Sequence, residues 1–322
     1  MALTVPVVLR REPVLRAASL VVLLGLELAV FAAMSPSFLT ESNVYNIATQ
    51  GTENGILALG MAIVIASGGI DLSVGAILAL SSIMIGYTVG HGLPLSVAVA
   101  VCLLTGLACG LVNGLLVVLL RLHPLLVTLG TYAVYQGLAL GISKGYGFSG
   151  FPRSFEYFGQ TYIGAVPAQC VFWLILAVVV YLVVRMTPAG RRLLAVGINE
   201  VAARYAGVRA GGVRLAVYGT SGLLAGIASL IYSSRVFSVR GDSGAGLELL
   251  AIAAVVVGGA TIRGGEISVL RTTLAVLVIG VIPNGLALAG IDTSLQFVTI
   301  GVVMVAAIAI NELFVRRVPA VA

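Results

Sequence analysis

The 322-residue chain is 60% hydrophobic and only 9% charged, with a mean hydropathy of +1.13 and a net charge of +6. Soluble domains carry about a quarter charged residues, so this composition excludes a soluble enzyme or binding module and points to a polytopic membrane protein. The positive balance then fits basic cytoplasmic loops and calls for no nucleic acid.

Apolar runs of about 20 residues, split at charged or Gly/Pro-rich breaks, predict ten helices. They cover residues 17–34, 47–67, 72–90, 95–120, 125–142, 165–184, 215–234, 247–262, 267–288 and 295–314. The expected fold is all-α, a single transmembrane domain over residues 1–322. Arg10, Arg11 and Arg16 precede the first run, which exceeds the roughly 7–15 residues of a signal-peptide core and reads as a retained span. Glu27 in its middle is either a proton-coupling site or a partner for a neighbouring helix.

Between the second and third runs lies SGGIDLSVG, residues 67–75, with Gly68, Gly69, Asp71 and Ser73. A carboxylate among apolar runs is costly and needs a reason. Asp71 can accept hydrogen bonds from the free N–H groups of a helix start, at a loop on the membrane boundary. It can equally mark an interrupted helix of the kind that builds transporter binding sites. Asn113 and Asn284, each before a glycine inside an apolar run, either line a polar path or bond a neighbouring helix. His91 and His123 have no ligand or base partner near them in sequence, which leaves metal and catalytic readings unsupported. Cys102, Cys109 and Cys170 all fall in apolar runs and read as packing thiols.

Residues 187–213 form the one long loop that looks structured. Within it NEVAAR, from Asn199 through Glu200, Ala202 and Ala203 to Arg204, predicts a short helix capped by Asn199 and ended by Gly207. Such a helix suits docking of a cytoplasmic partner, although an ordinary loop rich in positive-inside arginines is the alternative. With a cytoplasmic N-terminus, Arg121, Arg191, Arg192, Arg204, Arg209, Arg263, Arg316 and Arg317 fall inside, and so does the C-terminus. Lys144, Arg153, Arg235 and Arg240 are exceptions that fall outside.

Laying Asp71–Gly130 on Asp242–Gly301 without gaps matches ten of sixty positions, where so biased a composition gives roughly five or six by chance. The matches include Asp71 with Asp242, Gly75 with Gly246, Asn113-Gly114-Leu115 with Asn284-Gly285-Leu286, and Thr128 with Thr299. The two copies would start on opposite sides of the membrane, an inverted repeat with halves near 44–142 and 215–314. Gly68, Gly69, Asp71, Ser73, Asn113, Asp242, Glu248 and Asn284 make up the helix-break and pathway candidates. The chain cannot be its own motor: a P-loop needs G-x-x-x-x-G-K-[ST], and Lys144, the only lysine, is followed by Gly145.

SGGIDLSVG, NGLLVVLLRLHPLLVTLGT (113–131), AVGINEVAARYAGV (195–208) and GLELLAIAAVVVGGATIRGG (246–265) together resemble the permease subunits of ribose-type ABC importers for monosaccharides, over about residues 35–315. FPRSFEYFGQ (151–160) is similar to permeases associated with rhamnose or with the furanosyl signal autoinducer-2. His123 and Glu266 depart from the family pattern, which usually has smaller or apolar residues there. The resemblance implies a ten-helix permease of the bacterial inner membrane that pairs with a second permease, alike or homologous. It also implies a cytoplasmic ABC ATPase pair holding ATP and magnesium, a periplasmic or lipid-anchored sugar-binding protein, no cofactor on this chain and no enzyme activity of its own. The ATPase-coupling segment would be AVGINEVAARYAGV. An ion-coupled secondary transporter of a small polar solute, using Glu27 or Asp71, is the rival reading.

Overall fold

The computed structural model describes residues 7–306 except 293, 297, 300 and 304, and the side chains from residue 17 onward. The main helices are α1 (Val7–Met34), α2 (Glu41–Ala66), α3 (Val74–Gly90), α4 (Leu95–Leu119), α5 (Pro124–Ser143) and α6 (Ala168–Met186). They continue with α7 (Pro188–Ile198), α8 (Glu200–Tyr205), α9 (Ala210–Val236), α10 (Leu247–Val257), α11 (Val269–Leu288) and α12 (Ser294–Val303). Ten of these overlap the ten expected runs, but only six, α1, α4, α5, α6, α9 and α11, are both long and apolar enough to cross a membrane by themselves. The second run is long, and its first half is polar; the third and eighth are short. The tenth is described only to residue 306, so its expected continuation to 314, with Arg316 and Arg317, lies outside the described residues.

Several boundaries move for identifiable reasons. The described helix runs from Val7 through Arg10, Arg11 and Arg16, while its membrane-length apolar part is Ala17–Met34, as expected. The eighth stops at Val257, not 262: a Cβ on Gly258 would meet the Thr272 backbone at 2.8 Å, and Gly259 turns the chain with φ of +81°. The loop expected at 187–198 is helix, because Thr187 accepts the Gly190 N–H and Pro188 occupies the first turn. At the start of α12 the Ser294 N–H donates to Asp292 at 2.7 Å and holds that carboxyl below its ordinary range.

Packing is dominated by close backbone approach. α4 and α9 form the most extensive helix pair, with Gly106, Gly110 and Gly114 on one and Gly222 and Gly226 on the other. A Cβ on Gly110 would lie 2.2 Å from the Tyr218 carbonyl oxygen, and one on Gly222 would lie 2.2 Å from that of Gly106. Lipid tails are as apolar as leucine, so contact area and small residues, not hydrophobic exclusion, hold such helices together. Cys102 fits the same seam, its thiol reaching the Gly226 carbonyl at 3.3 Å, and all three cysteines are free and buried.

One end of the bundle carries most of the non-helical structure. β1 (Phe148–Ser149) pairs antiparallel with β4 (Ser238–Val239), and a hairpin joins β2 (Tyr162–Ile163) to β3 (Val166–Pro167). Between them the FPRSFEYFGQ stretch winds into a 3-10 turn whose Phe151 and Phe155 stack with Phe237. Ser234 donates to the Phe155 carbonyl and Gln160 to that of Ser234, tying this cap to the end of α9.

The α4–α9 seam gives a direct expectation. Gly222→Ala should destabilise the purified permease by about 1–3 kcal/mol or more through overpacking, read as a lowered melting midpoint in detergent. Gly130→Ala, where the added methyl meets nothing within 4 Å, should leave the midpoint within experimental scatter.

Candidate functional site

The break between α2 and α3 is built from Ser67 to Ser73. Ser67 caps the end of α2 by donating to the Val64 carbonyl at 2.7 Å, and Gly68, with φ of +81°, turns the chain where a side chain would be strained. Asp71 is fully buried. Ser73 is the residue directly before α3. Asp71 acts one step earlier, its Oδ1 accepting the Ser73 N–H at 3.0 Å and the Ser73 hydroxyl at 2.6 Å, while Oδ2 accepts the Ser221 hydroxyl of α9 at 3.1 Å.

The network continues outward. Asn113 of α4 donates to the Ser73 hydroxyl at 2.7 Å, and the Tyr135 hydroxyl of α5 donates to Asn113 at 3.1 Å. Thr128 of α5 closes the ring on the Ile70 carbonyl at 3.1 Å. One carboxylate thus joins α3, α4, α5 and α9, and Asn113 bonds neighbouring helices with no exposure of its own. Gly69 makes room for the Tyr218 ring, whose hydroxyl would lie 2.5 Å from an added Cβ.

A second non-helical stretch approaches the first. After β4 the chain passes Gly241, whose carbonyl takes a hydrogen bond from Gln136, and reaches Gly244 and Gly246 ahead of α10. A Cβ on Gly75 would meet Glu248 Oε2 at 2.2 Å and the Gly244 carbonyl oxygen at 2.5 Å, so the starts of α3 and α10 touch. From that contact α3 runs toward Phe148, while the chain leaving α10 reaches Gly264, which packs on Gly68. Two short helices whose N-termini meet form the kind of discontinuous pair that lines solute sites in transporters. Glu248 is buried there; its Oε1 accepts the Gly246 N–H at 3.2 Å and its Oε2 has no hydrogen-bond partner among the described residues.

The other candidates divide. Asp242 lies exposed on the same stretch, bonded to Arg240 at 3.1 Å, so the residue that matches Asp71 in the duplication does not repeat its burial. Asn284 exchanges two side-chain hydrogen bonds with Asn43, at 2.9 and 3.0 Å, and clamps α11 to α2. Sequence reasoning missed Asn43. It also missed Glu53 of α2, a buried carboxylate forked by Arg235 of α9 at 2.6 and 3.0 Å. That pair accounts for one of the arginines out of place by the charge rule, and the Arg240 contact accounts for another. Glu27 is half-buried and its Oε2 has no hydrogen-bond partner among the described residues.

The 187–209 segment sits against the break. A Cβ on Gly197 would meet the Ala66 carbonyl oxygen at 1.9 Å and the Gly265 N at 2.6 Å, while the Gly265 N–H donates to that same Ala66 oxygen at 3.0 Å. The ends of α2, α7 and the loop after α10 therefore converge on one point. α8 follows directly: Asn199 accepts the Ala202 N–H at 3.0 Å, and Gly207 ends the turn with φ of +82°. Ala203 packs inward with Val196 and Ala210. Glu200 bonds Arg204 and also Arg214 of α9, which fixes the helix to the bundle. The outward face is Ile198, Val201, Ala202 and Tyr205, the last 91% exposed. No group of three metal-ligating side chains occurs among the described residues.

Comparison with known proteins places this arrangement. Residues 43–308 match the family described as "Branched-chain amino acid transport system / permease component". The chain is 37% identical over 285 residues to the ribose import permease protein RbsC of Bacillus subtilis strain 168, covering 88% of each. It is 36% identical over 305 residues to the autoinducer 2 import system permease protein LsrD of Enterobacter sp. strain 638, covering 93% of each. The corresponding protein of Escherichia coli K12 is 32% identical over the same length. With residues 43–308 matched and relatives at 36–37% identity covering most of both chains, the protein belongs to this family of transport-system permease components.

Proposed function

We propose that the chain is the membrane permease of an ATP-driven importer for a monosaccharide or a related furanosyl solute. The family description names an amino-acid system, but the relatives quoted above are named for ribose and for autoinducer 2, and those names favour the sugar class. In this reading two permeases, identical or homologous, form the pathway between them. A sugar-binding protein delivers solute from outside, and cytoplasmic ABC subunits hydrolyse ATP with magnesium. Ten crossings, both termini cytoplasmic and an inverted repeat with halves near 44–142 and 215–314 complete the picture.

The observation that carries the proposal is the convergence of Ala66, Gly197 and Gly265. α8 presents an apolar, solvent-facing surface and joins through α7 to the backbone break that Asp71 holds. A push on α8 from a closing ATPase would reach that break through packed backbone, without a soft side chain between. Solute specificity would rest largely on the binding protein, so a weak permease site suffices.

Three results test this reading. Tyr205→Ala and Glu200→Arg should each cut solute-stimulated ATP hydrolysis of the assembled complex severalfold, while the permease still inserts and binds its partners; full coupling in both variants would sink the assignment of α8. Asp71 separates structural pinning from ion coupling. Asparagine can still accept from Ser73 and donate to the Ser221 hydroxyl, so Asp71→Asn should keep most ATP-driven uptake, whereas Asp71→Ala orphans two buried hydroxyls and should cost about 1–3 kcal/mol of stability. A well-assembled but inactive Asp71→Asn protein would show that the charge itself is needed. Finally, single cysteines at Ser154 and Ala189, in a background without the native three, should react with an impermeant thiol reagent from outside and inside respectively. Labelling of both from one side would remove the proposed topology.

A further inference from the structure

α6 packs on α2 and α7 but stands off α9, leaving a crevice whose floor is α2. Its volume is about 770 Å³, within the roughly 300–1,000 Å³ of small-molecule sites. Along the helices the lining is aliphatic, with Val179 and Val183 of α6 facing Ala216 and Val217 of α9. At the end roofed by α7 and the turn after α8 the lining changes to Arg192 and Arg209. Both guanidinium groups are on exposed residues, and neither forms an ion pair with a carboxylate among the described residues.

We propose that this crevice binds one anionic phospholipid, an acyl chain between α6 and α9 and the headgroup phosphate on Arg192 and Arg209. An apolar slot between spans is filled by hydrocarbon at no desolvation cost, since it opens onto hydrocarbon already. Basic pockets between transmembrane helices on the cytoplasmic side select anionic headgroups, and each arginine near the surface adds to that selection. Charge complementarity thus favours lipid over an apolar peptide. Because the lipid would touch α7, which leads to the Ala66–Gly197–Gly265 junction, it would also set the stiffness of the docking segment. The proposal takes its orientation from the topology above but needs neither the sugar nor the ATPase to hold.

The test uses the full-length permease, delipidated in a neutral detergent, with binding of added lipid followed by native mass spectrometry. Phosphatidylglycerol should saturate at one tightly held copy per chain, with phosphatidylcholine at least tenfold weaker and inorganic phosphate alone not competing. Arg192→Gln with Arg209→Gln should weaken phosphatidylglycerol roughly tenfold or more and leave phosphatidylcholine unchanged. Ala216→Trp, which fills the slot and keeps both arginines, should abolish the tight copy. Equal binding of the two lipids, wild-type binding by either variant, or competition by phosphate would overturn the proposal. So would disulfide capture between two Ala216→Cys chains in the membrane, because it would assign the crevice to a second copy.

Discussion

A backbone that leaves the helix in the buried interior of a helix bundle must satisfy its own polar groups, and the structure is organised around one such place. The turn at residues 67–73 survives because Asp71, fully buried, takes three hydrogen bonds and hands the remaining polarity to Asn113, Tyr135 and Thr128. Buried in protein, the turn takes its partners from α4, α5 and α9, which must therefore sit where they do. The glycine seam between α4 and α9 allows this. It lets two backbones approach closely enough for Ser221 and Asn113 to reach the same short turn from different helices.

The opposite end is held by different means. The Asn43–Asn284 exchange and the Glu53–Arg235 fork tie α2 to α11 and to α9, and the stacked Phe151, Phe155 and Phe237 cover the end of α9. A buried ion pair repays its desolvation only with good geometry, and here both carboxylate oxygens are used. The region where the starts of α3 and α10 meet has less of this bracing. Glu248 Oε2 and Gln136 Oε1 are buried without a hydrogen-bond partner among the described residues.

Local signals carried far in this chain. The apolar runs located the main helices, Asn199 and Gly207 bounded α8 as their capping chemistry requires, and the thiols proved buried. The four motifs taken together led to the right family. What failed to appear was everything set by which face of one helix meets another. Asn43 and Asn284 lie 241 positions apart, and Glu53 and Arg235 lie 182 apart; nothing near either residue names its partner. The same limit explains Asp71, whose sequence context suggests a helix cap while its actual role is shared with Ser221 on a distant helix. The register of the duplication paired Asp71 with Asp242, yet one is buried in a network and the other exposed beside Arg240, because matching residues need not meet matching surroundings.

In the proposed mechanism energy enters from outside the chain, through α8, and not from an ion gradient. Its most direct test is solute accumulation in proteoliposomes holding the permease with its ATPase and binding protein, with ribose as the first probe and a furanosyl signal molecule as the second. Uptake of at least one of them should require ATP and all three components and persist when an uncoupler removes the ion gradients. Accumulation by the permease alone that follows an imposed proton or sodium gradient and ignores ATP would contradict it.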